Sequence, residues 1–130
     1  MILADTSVII DFWRNPTRKK QEIFGKNEMA TCYVVKAELI HGAKSVFEKK
    51  KIADALNELT LLPINDEVWE YVGEILYKLK KKGLTVPFQD ALITAVCIKH
   101  KCQLWTLDSH FFKMREVLKE LKLFQTVEAD

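Results

Sequence analysis

The chain has no long apolar run, no disulfide framework and almost no net charge. No window approaches the roughly 20 consecutive apolar residues that a membrane-spanning helix needs. Nor does a charged leader precede an apolar stretch in the manner of a secretory signal. The three cysteines, Cys32, Cys97 and Cys102, form no C-x-x-C pair, and each lies in an apolar context. They read as small core residues of a reducing compartment, and together these features predict a cytoplasmic protein. Twenty basic residues against 18 acidic ones leave a net charge of +2, too little to announce a nucleic-acid binder. No repeat, linker or low-complexity segment divides the 130 residues. They suffice for a single domain that buries about 65–70% of its unfolded surface without structural metals.

What the chain does contain is a regular alternation of short apolar strands and amphipathic helices. MILA reads as a strand and SVIIDFWR as a helix with Val8, Ile9, Phe12 and Trp13 facing inward. Asn15-Pro16 ends it, because the residue before proline is pushed out of the helical region. KKQEIFGK gives a second short helix, EMATCYV a strand leading into the helix VKAELIHGAKS, and KKKIADALNEL another helix before the strand LTLLPI. Asp66 is placed to cap DEVWEYVGEILYKLKKKG, in which Val68, Val72, Ile75, Leu76 and Leu79 recur at helical spacing and Gly83 supplies the stop. Then come the apolar helix DALITAVCIKH, the strand CQLWTLD, a last helix MREVLKELK and a final strand LFQTV. This order predicts an α/β fold: one domain over residues 1–130, with a mainly parallel central sheet and helices on both faces. Basic residues cluster at 18–20, at 49–51 and across 78–82. Such runs read as solvated helix faces or ends, and they are equally compatible with a patch that follows a phosphate backbone.

Most acids lie beside lysine on helix faces, but four do not. Asp5 follows the first strand, Glu38 lies in VVKAELI, Asp90 opens an almost wholly apolar helix, and Asp108 ends the strand QLWTL. Each has an ordinary alternative. Asp5 and Asp90 can cap helices, Glu38 can pair with Lys36, and Asp108-Ser109 can open a turn. In a parallel sheet Asp5 and Asp108 leave the same carboxyl edge, where open α/β sheets place their ligands. Glu38 and Asp90 join them only if the connections at 33–36 and 83–89 carry the chain across; the spacing permits convergence without requiring it. Two ionised carboxylates 4 Å apart repel by roughly 4 kcal/mol at an effective dielectric of 20. A converged set therefore calls for protonation or a cation. All-oxygen acidic sites suit Mg²⁺ or Mn²⁺, and the matching chemistry is metal-assisted hydrolysis of a phosphodiester.

The four motifs, in order, resemble those of the PIN-domain ribonucleases, specifically the toxins of VapBC toxin–antitoxin pairs. ILADTSVIIDFW matches the family's opening strand, D-[TS]-[SN] and apolar helix. VVKAELIHG matches its glutamate motif, FQDALITAVCIKH its third acid, and LWTLDSHFF its closing T-x-D followed by phenylalanine. The resemblance runs nearly from end to end, and it implies an endoribonuclease in which Asp5, Glu38, Asp90 and Asp108 surround one or two Mg²⁺ or Mn²⁺ ions. By it, Asp5 and Asp90 are the direct ligands, while Glu38 and Asp108 hold a second ion or its waters. Thr6 and Thr106 orient water or carboxylate from behind, and Asp11 stays outside the metal shell. The attacking group is a metal-bound water acting on RNA.

It further implies a small antitoxin partner and a homodimer, while the lack of a long apolar run predicts no membrane partner. Phe12, Trp13, Ile23 and Phe24 become candidate contact surface, and the lysine clusters candidate phosphate contacts. Ser109 and His110 depart from relatives that carry an acid or asparagine near the last motif. His41 and His100 read as ordinary surface or helix-end residues. Two rival readings are a catalytically silent PIN-like interaction module and an acid-pocket phosphotransfer domain. The first would be marked by the loss of an acid, and none is missing; the second needs a D-x-D where this chain has Asp5-Thr6-Ser7.

Overall fold

A computed structural model describes residues 1–125. The elements are β1 (Ile2–Ala4), α1 (Thr6–Arg14), α2 (Arg18–Lys26), β2 (Met29–Thr31), α3 (Tyr33–His41), α4 (Val46–Asn57), β3 (Thr60–Leu61), α5 (Asp66–Lys81), α6 (Phe88–Lys99), β4 (Gln103–Trp105) and α7 (Ser109–Val117). The strands form one parallel sheet in the order β3-β2-β1-β4. Ile2 pairs with Met29 on one side of β1 and with Gln103 on the other, so β1 is central. Every residue of β1 and β2 is buried. Since successive side chains point to opposite faces, both faces of the sheet are covered, as the alternation of strands and helices predicts. Leu123 bridges Leu104 in parallel beyond β4, which accounts for the start of the predicted strand LFQTV; Thr126 and Val127 lie outside the described residues.

Side-chain caps set most helix starts. Asp5, Thr17, Ser45, Asn65 and Asp108 each accept a hydrogen bond from a backbone N–H in the first turn of the helix that follows. Several predicted boundaries shift as a result. Asn65, not Asp66, caps α5, while Asp66 and Glu67 stand in the first turn and complement its positive end. Ser45 starts α4 earlier than the lysine run suggests, and Asp108 starts α7 at Ser109 rather than at Met114. The strand predicted over EMATCYV stops at Thr31, because Cys32 already adopts the N-cap position of α3. LTLLPI contributes only Thr60 and Leu61 to the sheet.

Two connections decide where the acids go. α3 begins directly behind β2, so its first turns stand at the sheet's carboxyl edge without any crossing turn at 33–36. α5 ends at Gly83, whose φ of 79° is the left-handed value that favours glycine. Gly83 and Leu84 donate back to Lys80 and Leu79 and close the helix. α5 starts beside the far end of α6, where His100 contacts the Pro63 carbonyl, and so runs toward the carboxyl edge; residues 84–87, without helix or strand, then lead straight into α6 there. α6 is buried on nearly every side from Ala91 to Cys97 and packs chiefly along α5. Val68, Val72, Ile75 and Leu79 are buried along α5 as their spacing predicts. Val8 and Ile9 point inward on α1, but Trp13 is exposed. All three cysteines are free thiols in the core. Among the described residues no helix is long and apolar enough to cross a membrane.

Candidate active site

Asp5 is the hub of the carboxyl edge. It is only 4% exposed, and both of its carboxylate oxygens are engaged. Oδ1 accepts from the backbone N–H of Val8 at 3.1 Å, capping α1, and also from the Ser7 hydroxyl. Oδ2 accepts from the Thr106 hydroxyl at the end of β4. Thr106 Oγ1 in turn accepts from the Asp108 N–H at 3.0 Å, and Ser7 Oγ accepts from the Leu107 N–H at 3.1 Å. The ends of β1 and β4 are thus tied together through two hydroxyls that flank one carboxylate. Ser7, which with Thr6 begins α1 while lining this edge in the D-T-S motif, supports Asp5.

Asp108 caps α7 by accepting from the His110 N–H at 2.9 Å. Asp90 caps nothing. The N-cap position of α6 is Pro87, with no side-chain hydrogen bond, and Asp90 stands inside the first turn. Its side chain is 13% exposed, and its Oδ2 lies 3.6 Å from His110 Nδ1, which is also 3.4 Å from Asp108 Oδ1. Donor atoms of Asp90, Asp108 and His110 all fall within 4.8 Å of one another. Glu38, on the outer turns of α3, accepts from the Thr6 hydroxyl at 3.3 Å. Thr6 therefore supports Glu38, whereas Thr106 supports Asp5.

The electrostatics join the four acids into one cluster. Burial raises the Asp5 carboxyl above its ordinary value, and the charge of Asp108 adds to the rise; hydrogen bonds from Ser7, Thr106 and Val8 oppose it. Asp90 is raised by burial and by Asp108, with His110 pulling the other way. Glu38 is raised by desolvation and by the charges of Asp90 and Asp5, against the hydrogen bond from Thr6. Carboxylates from four separate elements, mutually repelling and partly buried, are the donor chemistry of a hard divalent cation, which would relieve that repulsion.

The matching domain model is the PIN domain, over residues 2–117. The chain belongs to the PIN domain family. The solved structures agree with the fold of this PIN domain. VapBC-1 from nontypeable Haemophilus influenzae superposes with a TM-score of 0.81 at 20% identity, covering 95% of this chain and 97% of that one. VapBC2 from Rickettsia felis, bound to a DNA fragment from its promoter, gives 0.80 at 25% identity over 95% and 98%. DNA-bound VapBC from Salmonella typhimurium gives 0.79 at 19% over 95% and 96%. No curated protein sequence matches the chain.

The remaining sequence-predicted residues are placed as follows. Asp11 lies apart from the acids, in a 2.6 Å ion pair with Lys20 that ties α1 to α2. His100 contacts the Pro63 carbonyl at the other end of α6. Phe12 stacks on Phe24 with ring centroids 4.3 Å apart, and Phe24 reaches Trp105, so both belong to packing rather than free surface. Trp13 lines a groove of about 660 Å³ with Phe47 and Lys51, and an edge of Phe12 reaches the same groove. Within the basic run at 18–20, Lys20 is held by Asp11 and Arg18 pairs with Glu22. Lys78, Lys80 and Lys81 occupy the last turn of α5 and complement its negative end. The start of α5 lies beside the far end of α6, through the Pro63–His100 and Glu67–Lys99 contacts, so this last turn of α5 lies toward the carboxyl edge.

Proposed function

We propose that this PIN domain is a divalent-metal-dependent endoribonuclease, the toxin of a type II toxin–antitoxin pair. The observation that carries the reading is the meeting of Asp5, Glu38, Asp90 and Asp108 at one sheet edge, each delivered by a different element. Asp90 weighs most among them, because it caps nothing in the first turn of the most buried helix and faces only the half-exposed His110.

Asp5, Asp90 and Asp108 would hold Mg²⁺ or Mn²⁺, with Glu38 completing the set from the open side. The ion supplies an acidified water and neutralises charge that builds on the phosphate in an in-line displacement. The chain's own groups fix the geometry around it. Ser7 and Thr106 clamp the Asp5 carboxylate from both sides and oppose the rise that burial imposes on it. Thr6 holds Glu38 toward the cluster. The substrate is RNA, and the candidate cations for its backbone are Lys44, which shares a cleft with Glu38, and the lysines that end α5 shortly before Asp90. A small antitoxin is the proposed partner; the three structural relatives described above are all toxin–antitoxin complexes. The cleft of about 270 Å³ that Glu38 shares with Trp13, Arg14 and Leu39 opens beside the acids and suits an inserted segment. A homodimer completes the proposal, on family resemblance, and light scattering reads it directly.

The test is cleavage of a structured RNA pool by the purified protein in Mg²⁺, in Mn²⁺ and in EDTA, with the folded Asp90→Asn variant alongside. Cleavage that needs the metal and is lost in the variant supports the reading. No cleavage of any RNA, with no divalent-ion binding by calorimetry, returns the domain to an interaction module.

A further inference from the structure

The acids do not stand alone at the carboxyl edge. His110 presents Nδ1 to Asp90 Oδ2 at 3.6 Å and to Asp108 Oδ1 at 3.4 Å. Resting on the metal-dependent reading above, we propose that His110 is a nitrogen ligand of the bound ion, and that it tilts this site toward Mn²⁺ over Mg²⁺.

The backbone supports that placement. Asp108 caps α7 by accepting from the His110 N–H at 2.9 Å, which fixes the first turn of the helix and sets the imidazole beside the carboxylate. Phe111, the next residue, is buried to 1% exposure and anchors that turn in the core. The imidazole itself is half exposed, at 53%, so burial does not explain where it points. Ligands in neighbouring positions around an ion at about 2.1 Å stand roughly 3 Å apart. Separations of 3.4 and 3.6 Å therefore close on a shared cation by small side-chain rotations. As a neutral ring with its proton on Nε2, His110 offers a lone pair where its neighbours offer carboxylate oxygens.

The choice of ion follows from donor softness. Mg²⁺ takes oxygen ligands and gives up its waters reluctantly, so it gains little from an imidazole. First-row transition ions accept nitrogen readily, and mixed carboxylate–imidazole sets favour them. Mn²⁺ satisfies both kinds of donor here.

The experiment loads the purified protein with Mn²⁺ and records electron spin echo modulation from directly bound ¹⁴N, with calorimetric titration of Mn²⁺ and Mg²⁺ in parallel. His110→Ala is the variant, since the cap on Asp108 uses the backbone N–H and survives the substitution; His110→Gln serves as a second one that keeps the side-chain bulk. The expected result is nitrogen coupling in the wild type and none in either variant. Mn²⁺ affinity falls about tenfold or more while Mg²⁺ affinity changes little. Mn²⁺ bound with no nitrogen coupling, or with coupling that persists in His110→Ala, overturns the inference and leaves the carboxylate site standing. Absence of divalent-ion binding altogether overturns both.

Discussion

Asp5 and Asp90 are the same residue at the same edge of the sheet, and the fold treats them differently. Asp5 accepts from Ser7, Val8 and Thr106, caps α1 and stitches β1 to β4. Asp90 sits in the first turn of α6 without capping it, and only His110 is placed to bond it. Removing Asp5 confounds structure with chemistry, whereas removing Asp90 separates them. A carboxylate with no structural duty in a buried setting is the better marker of function, because its cost in desolvation and repulsion is otherwise unexplained.

The sharpest consequence concerns activity. Asp90→Asn is expected to lower RNA cleavage at least about 100-fold, in keeping with the loss of a charged group aimed at the reacting centre. Its folded spectrum and denaturant midpoint should be undiminished. A variant that loses activity only because it unfolds would erase the contrast. Asp5→Ala should also lose activity, but with about 2 kcal/mol of stability in denaturant titration, from the lost cap and the unpaired Thr106 hydroxyl. Equal destabilisation by the two substitutions would mean that Asp90 is structural after all.

A subtler effect is in pH. The Asp90 carboxyl lies above its ordinary value because of burial and the neighbouring charge of Asp108. A group whose folded pKa is raised gives its stability below the unfolded pKa, and that contribution is lost as pH rises through the folded value. In EDTA, therefore, Asp90→Asn should match the wild type near pH 4 and melt progressively higher than it toward pH 7. The smallest expected change lies one turn further along α6. Thr94 Oγ1 is buried without a hydrogen-bond partner among the described residues, so Thr94→Val, of nearly the same shape, should stabilise by about 1 kcal/mol and leave cleavage unaltered. A loss of activity there would assign that hydroxyl to the site.

Much of this was legible in the residues, for identifiable reasons. The parallel sheet follows from strand–helix alternation, the end of α5 from Gly83, and the core stripe of α5 from spacing at 68, 72, 75 and 79. All four candidate acids stood out because they interrupt apolar context. Their meeting was not derivable from spacing, since it depends on α5 running antiparallel to α6 toward the carboxyl edge and on α3 starting at Tyr33. Helix starts slipped wherever a cap outweighed the apolar pattern, as at Ser45, Asn65 and Asp108. Asp5 caps α1 through one oxygen and accepts from Thr106 through the other, so capping does not exclude the proposed site role. His110 was harder to read, because its role depends on the α7 cap, which brings residue 110 back onto residue 108.

The most direct test of the contrast is thermal unfolding of the wild type and Asp90→Asn at pH 7, in EDTA and in saturating Mn²⁺. The variant is expected to melt higher than the wild type in EDTA. Mn²⁺ at 100 times its Kd is expected to stabilise the wild type by about 2.7 kcal/mol and the variant by far less. A variant that melts lower in EDTA, with neither protein responding to the ion, would contradict the contrast and make Asp90 part of the scaffold.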